Sequence, residues 1–336
     1  MKKSLTMALI AVAIAVCAFG AEGYKILTKI HIGGEGRWDY VAVDSANRRL
    51  YVSHSTSVEV VDPDTGKVVG NIPGLHGVHG IAIAADLGKG FITNGQSGSV
   101  TIFDLKTLQK SGEPAAGKNP DAVCYEPKTK RVFAINHTGG DATSIDATSG
   151  EVLKTFPIGA SAEFCQVDGA GKLYVNIESS NELVEIDAAK NEVTRRTSIL
   201  PCEGPSGLAI DLKDKKLFSV CDGVMAVTDI PTFKVVATPK IGQGPDAAGY
   251  DPGTGLAFSS NGQDGTLSIV KQVNGKWDTV DTVKTEVTAR TMAVDTQTHK
   301  VFLLAAEAGP MSAPKDGKKG RPTILPDTFH VLVVGK

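Results

Sequence analysis

Residues 36–72 read GRWDYVAVDSANRRLYVSHSTSVEVVDPDTGKVVGNI. Four short apolar runs, at 41–43, 50–52, 58–61 and 68–72, alternate with clusters of Asp, Asn, Ser, Pro and Gly. Runs of this length, rich in Val, Tyr and Ile and bounded by turn formers, predict the strands of an antiparallel meander. They are too short for a helix, and their apolar positions recur with a period of two. A four-stranded sheet of this size cannot bury both faces alone, so it requires neighbours of its own kind.

The chain supplies those neighbours. A seven-residue signature opens each unit: WDYVAVD (38–44), VHGIAIA (78–84), PDAVCYE (120–126), AEFCQVD (162–168), PSGLAID (205–211), PDAAGYD (245–251) and ARTMAVD (289–295). The closing residues are spaced by 40, 42, 42, 43, 40 and 44 positions. Seven copies at this period predict an all-β, seven-bladed β-propeller of four-stranded antiparallel blades; solenoid repeats are usually shorter. A second strand is expected after each signature, at 50–54, 90–94, 132–136, 173–177, 217–221, 257–261 and 301–305.

Several of these strands carry a recognisable pattern. YVSH (51–54), FITN (91–94) and YVNI (174–177) are YVTN-like. SVTIFD (99–104), LVEID (183–187) and VEVVD (58–62) resemble the TVSVID-like strand that follows it. On these residues the chain, over 24–334, resembles the YVTN-repeat β-propeller family of YncE-like proteins. The resemblance implies the propeller fold and a functional site at one mouth of the central channel. It implies little about activity, because the motif is structural.

Ring closure is legible at the ends. The seventh unit provides three strands, at 290–295, 301–305 and 329–334, and lacks a fourth. A spare strand, YKILTKIHI, lies at 24–32 before the first unit. It is expected to pair as the outer strand of the seventh blade, which removes the free edges of the ring. The last unit also contains a long insertion between its second and third strands, 306–328, with Pro310, Pro314, Pro322, Pro326, Lys315, Lys318, Lys319 and Arg321. Loops of this length inside a compact unit are usually functional or disordered, and this one is expected to cap the channel mouth.

The 336 residues carry 35 Lys and Arg against 37 Asp and Glu, which argues against a nucleic-acid partner, although relatives in the resembled family have been linked to DNA. With 37 Gly, 16 Pro and 21% charged residues, the composition suits a turn-rich β protein. Residues 1–20 read as a signal peptide: Lys2 and Lys3, an apolar stretch over 5–19, and a small-residue cleavage site at 18–20. The apolar stretch is short for a span of about 20 residues, so no membrane span is expected after cleavage. Cys17 could in principle take a lipid, but Val16 is a poor residue before a lipidated cysteine. The expectation is a periplasmic or secreted monomer, with residues 21–336 as one domain. After cleavage, 33 basic residues face 37 acidic ones.

In a propeller the first strand lines the channel, and its head lies on the same face as the end of the second strand. The second residue of the signature is polar in every copy: Asp39, His79, Asp121, Glu163, Ser206, Asp246 and Arg290. A polar residue here can cap a turn. Four carboxylates, a histidine and an arginine in one ring also suit a ligand site. The second strands end at His54, Asn94, His137, Glu178, Asp222, Asn261 and Glu307, adding a further layer. The candidate ligand-binding residues are therefore Asp39, His54, His79, Asp121, His137, Glu163, Glu178, Asp222, Asp246, Arg290 and Glu307.

With His76, the histidines His54, His79 and His137 fall on this face. Together with Asp121 and Glu163 they could hold a divalent metal, Ca, Zn or Mn, because imidazole and carboxylate suit these ions in different mixtures. No HxxH or HExxH spacing supports it, and scattered surface histidines are the alternative. Gln166 stands where other copies have small residues, and is expected to bond a channel water or a neighbouring backbone.

Among the cysteines of the mature chain, Cys202 and Cys221 belong to one face of one blade and could pair. Cys124 and Cys165, inside first strands, are expected to be buried thiols. No GxSxG or phosphate-binding loop is present, and no catalytic residue is assigned. The expected function is an exported binding or scaffold protein with a small molecule or protein at the channel mouth. The alternative is a metal-assisted hydrolase or lactonase using the same mouth.

Overall fold

The computed structural model describes residues 23–312 and 322–336. Seven four-stranded antiparallel blades are present. Blade 1 comprises Val41–Asp44, Arg49–His54, Ser57–Asp62 and Lys67–Ile72. Blade 2 comprises Val78–Ala84, Lys89–Asn94, Ser99–Asp104 and Lys110–Gly112, and blade 3 comprises Pro120–Glu126, Arg131–Asn136, Asp141–Asp146 and Val152–Pro157. Blade 4 follows as Ala162–Val167, Lys172–Ile177, Glu182–Asp187 and Glu192–Ser198, and blade 5 as Leu208–Asp211, Lys216–Cys221, Val224–Asp229 and Lys234–Ala237. Blade 6 is Pro245–Asp251, Leu256–Asn261, Thr266–Val273 and Lys276–Lys284. Each first strand lies against the first strand of the next blade, and that of blade 7 lies against that of blade 1. The fold is a closed seven-bladed β-propeller, as the spacing predicts.

Blade 7 combines the two ends of the chain. Its strands Thr291–Asp295, Lys300–Ala305 and His330–Gly335 are joined on the outside by Lys25–His31. Lys25 pairs with Gly335 and His31 with His330. The expected closure is thus present. Residues 1–20, with Cys17, lie outside the described residues, as does the basic run of Lys315, Lys318, Lys319 and Arg321. Among the described residues, no helix is long and apolar enough to cross a membrane.

Each blade is pinned to the next by one ring. Tyr51, Phe91, Phe133, Tyr174, Phe218, Phe258 and Phe302 occupy the same register of the seven second strands, and each is at most 2% exposed. Phe133 of blade 3 packs with Leu173 and Val175 of blade 4, and Phe258 of blade 6 with Val301 and Leu303 of blade 7. Phe302 of blade 7 packs with Leu50 and Val52 of blade 1. The second strand is sandwiched between neighbouring blades, so it reads as a continuous apolar run, whereas the outer strand Glu192–Ser198 alternates.

The carboxylate that closes the signature is a turn cap. Asp44 accepts from the Asn47 amide at 3.0 Å, Glu126 from Thr129 at 2.7 Å, and Asp251 from Gly253 at 3.0 Å. The turn then places Arg48 at a φ of 51°. From there Arg48 Nη1 reaches the fully buried Asp295 of blade 7 at 2.6 Å.

Two expectations need correction. Cys124 and Cys165 are not free thiols: they form a disulfide between the first strands of blades 3 and 4, with Cα atoms 6.2 Å apart. Their registers differ by one residue, so the two side chains leave opposite faces of their strands and meet where adjacent blades face each other. Cys202 and Cys221 also pair, within blade 5, with Cα atoms 5.4 Å apart. The insertion 306–328 is not structureless: Ala308–Met311 and Pro322–Ile324 form a two-stranded hairpin.

Phe133→Ala should cost about 3–5 kcal/mol in urea denaturation, the range for emptying a packed ring site. Asp295 gives a pH test. Burial alone would raise its pKa, but hydrogen bonds from Ser45, Thr298 and Arg48 hold it down to about 2. A depressed carboxylate stabilises the fold above its unfolded value of about 3.9, and that stability is lost as pH falls toward the folded value. Arg48→Ala should therefore cost about 2 kcal/mol at neutral pH, and the gap to wild type should close as denaturation is repeated below about pH 4.

Candidate functional site

The first strands of four blades break register at their heads. Irregularities fall between Val78 and Ile81, Pro120 and Val123, Ala162 and Cys165, and Pro245 and Ala247. A bulge re-aims the side chain it contains. The polar residues inside these four are His79, Asp121, Glu163 and Asp246. Asp39 lies two residues before the first strand of blade 1, and Arg290 immediately precedes that of blade 7. Asp39, His79, Asp121, Glu163, Asp246 and Arg290, with Tyr40 and Thr291, line a cavity of about 240 Å³ at the heads of the first strands.

Buried polar side chains from the second strands hold the backbone of this ring. Ser53 Oγ accepts from the Asp39 amide at 2.8 Å. Thr93 accepts from the Gly80 amide at 2.7 Å and donates to the Asp121 carbonyl. Ser260 donates to the Arg290 carbonyl. At Gly80 a Cβ would lie 2.7 Å from the Asp121 carbonyl oxygen, so the close approach of blades 2 and 3 requires glycine there.

The side chains form a connected set of charges. His79 Nδ1 is 2.6 Å from Asp39 Oδ2 and 3.8 Å from Asp121 Oδ1. His137 Nδ1 lies 2.9 Å from Glu163 Oε1, at ion-pair distance but without hydrogen-bond alignment. Arg290 pairs with Asp246 through Nη1, while its Nη2 donates to the Trp38 carbonyl at 3.1 Å and lies 3.5 Å from Asp39. Asp121 Oδ1 is buried without a hydrogen-bond partner.

Burial and crowding reshape the titration of this set. Burial, then the Asp39 charge, push Asp121 up to about 8. The Glu163 carboxylate raises His137 to about 9. Burial pulls His79 down, but Asp39 and Asp121 outweigh it and raise it. Glu163 is raised by burial, and the Tyr40 phenol is raised by burial and by the surrounding carboxylates.

The cup has a floor that the signature comparison missed. The rings of Tyr40 in blade 1 and Phe164 in blade 4 meet at 5.0 Å between centroids. These blades stand three places apart in the ring, so the pair spans the channel. Beyond it lies a second cavity of about 220 Å³, lined by Cys124, Gln166 and apolar residues. Gln166 Nε2 donates to the Leu208 carbonyl of blade 5 at 2.9 Å, the neighbouring-backbone bond expected of it. The missed signal is the third residue of the signature, which is small in blades 2, 3, 5 and 6 and aromatic in blades 1 and 4.

Other candidates lie apart from the cup. His54 is buried against Phe329, with ring centroids 4.8 Å apart, and burial lowers its pKa. Glu178 is exposed above Glu163 and acts on His137 only through its charge. Asp222 accepts from the Gly244 amide at 2.8 Å, tying one loop to the next. Glu307 is exposed at the base of the hairpin insertion, and no described residue of that insertion lines the cup. His76 is exposed in a loop. The nearest approach to a metal cluster is two triads, Asp39–His79–Asp121 and Asp121–His137–Glu163, each with donor atoms within 4.8 Å of one another.

Fold and site together define a seven-bladed β-propeller with a polar cup. The structure is similar to the WD40 repeats of RRP9, with a TM-score of 0.74 and 9% identity over 93% of this chain and 97% of that one. It is equally similar to U3-55K, at TM-score 0.74 and 9% identity, covering 92% of this chain and 98% of that one. Hydrazine synthase of Kuenenia stuttgartiensis aligns at TM-score 0.68 and 16% identity, covering 79% of this chain and 91% of that one. At these identities the likeness is one of fold alone. No protein-family model and no curated protein sequence matches the chain.

Arg290 is the cup's structural cation. Arg290→Leu should cost about 2–3 kcal/mol in urea denaturation, because Asp246 and the Trp38 carbonyl lose a half-buried partner. Arg290→Lys should recover only part of it, since a point charge cannot serve both acceptors at once.

Proposed function

We propose that this chain is an exported binding protein, a monomeric propeller of the YVTN type, whose ligand sits in the cup at the channel mouth. One observation carries the reading: Oδ1 of Asp121 is buried in the wall of the cavity and accepts no hydrogen bond, with His79 Nδ1 no closer than 3.8 Å. Native proteins satisfy nearly all buried polar atoms, and the exceptions concentrate where a ligand or a catalytic step uses them. The Asp121 carboxylate serves no turn amide, unlike the closing carboxylates of the signature.

The ligand is small and brings positive charge or hydrogen-bond donors. A volume of about 240 Å³ is below the range of roughly 300–1,000 Å³ that takes drug-sized molecules. Arg290 is already engaged with Asp246, which leaves Asp39, Asp121 and Glu163 as the acceptors. Export is supported by the charged and apolar start of the chain and by two disulfides, which persist in oxidising compartments.

A binding residue and a structural one respond differently to removal. Asp121→Ala should melt at or above the wild-type temperature by circular dichroism, because a buried carboxylate crowded by others is relieved. A loss of more than about 2 kcal/mol would instead make Asp121 a structural cap and sink the reading.

A further inference from the structure

The two triads of the cup share Asp121, and that shared residue is the one with the unsatisfied oxygen. Around an ion bound at about 2.1 Å, neighbouring donor atoms stand roughly 3–3.4 Å apart. Three of the donor pairs here are 2.6, 2.9 and 3.8 Å apart and all donors within a triad lie within 4.8 Å of one another, so shifts of at most about 1.5 Å would bring each triad to that spacing. The donors come from four adjacent blades: Asp39, His79, Asp121 and Glu163 from the heads of first strands, where irregular backbone aims His79, Asp121 and Glu163, and His137 from just beyond the second strand of blade 3. Gly95 leaves room for the imidazole: a Cβ there would fall 2.6 Å from His79 Nε2.

We infer that the cup binds one divalent transition-metal ion, seated against Asp121 and completed by Asp39, His79, His137 and Glu163. The inference rests on the reading of the cup as a binding site and names the chemistry of what it takes. Two imidazoles among the donors favour a borderline ion such as Zn²⁺ over Ca²⁺, which takes oxygen ligands. Charge sets the count. Asp246 is neutralised by Arg290, so three carboxylates remain; one divalent ion leaves a single negative charge, and two would leave an excess of positive charge. The ion would sit at an open mouth above the Tyr40–Phe164 floor, where a further ligand could join its coordination sphere from solvent.

The test uses the whole purified chain, stripped with a chelator and then dialysed against Zn²⁺, Mn²⁺ or Ca²⁺. Elemental analysis should find one Zn²⁺ or Mn²⁺ per chain and no retained Ca²⁺. Zn²⁺ at about a hundred times its dissociation constant should raise the melting temperature by about 5 °C. Co²⁺ in its place should give visible d–d absorption. A His79→Ala/His137→Ala double variant, confirmed folded by circular dichroism, should lose retention, shift and absorption together. Retention unchanged in that variant places the ion on surface histidines and overturns the inference, as does retention of Ca²⁺ alone or of no ion. If no ion is retained while Asp121→Ala still melts at or above wild type, the metal assignment falls and the cup stands. If Asp121→Ala is destabilised, both fall.

Discussion

One aromatic ring per blade, pressed into the next blade, is the contact on which the rest of this molecule depends. A four-stranded sheet cannot cover its own faces, and each ring at the third position of the second strand fills the gap to its neighbour. The rings are spaced as the repeat is spaced. The same contact therefore occurs from Tyr51 round to Phe302, which returns the series to blade 1. Stability is distributed evenly round the circle instead of being gathered in one central core. That leaves the channel free of a packing role, and its wall can carry groups that a core would reject.

The cup uses that freedom. Its charged side chains stand at bulges, where the ladder is already interrupted, and so they cost little regular hydrogen bonding. Ser53, Thr93 and Ser260 lock the backbone behind them from positions that are fully buried. A rigid frame and an unrelieved set of charges is the combination that binding sites require, because the frame prevents the charges from relaxing toward one another. Arg290 has the opposite part: it sets the distance between Asp39 and Asp246 and keeps the ring from repelling itself apart.

The fold was largely legible in the sequence because the propeller repeats. Seven signatures set the blade count, and the spare strand at 24–32 announced how the ring closes. The polar heads Asp39, His79, Asp121, Glu163, Asp246 and Arg290 could also be nominated, since one register position carries them all. What stayed hidden lies between blades. Whether Cys124 meets Cys165, or Tyr40 meets Phe164, depends on which face of each strand looks across the gap, and bulges alter that locally. His54, Glu178, Asp222 and Glu307 share an end of the molecule with the cup, but they sit one strand farther out, as does His137, which meets the cup through Glu163. A strand spacing of about 4.8 Å is enough to take a side chain out of a cavity this small.

Closure by Lys25–His31 has a temporal side. Of the described strands, the earliest in the chain finds its partner only in His330–Gly335, about 300 residues later. Through most of synthesis the growing arc has an open blade at each end, with unpaired strand edges that invite association with other chains. The early strand must wait unpaired, and its composition suits waiting: KILTKIH carries Lys25, Thr28, Lys29 and His31 among its apolar residues, and most of it stays exposed even in the finished ring. Once the last strand docks, the longest-range pairing in the chain forms in one step. The slow, entropically costly contact is then also the one that holds the finished circle shut.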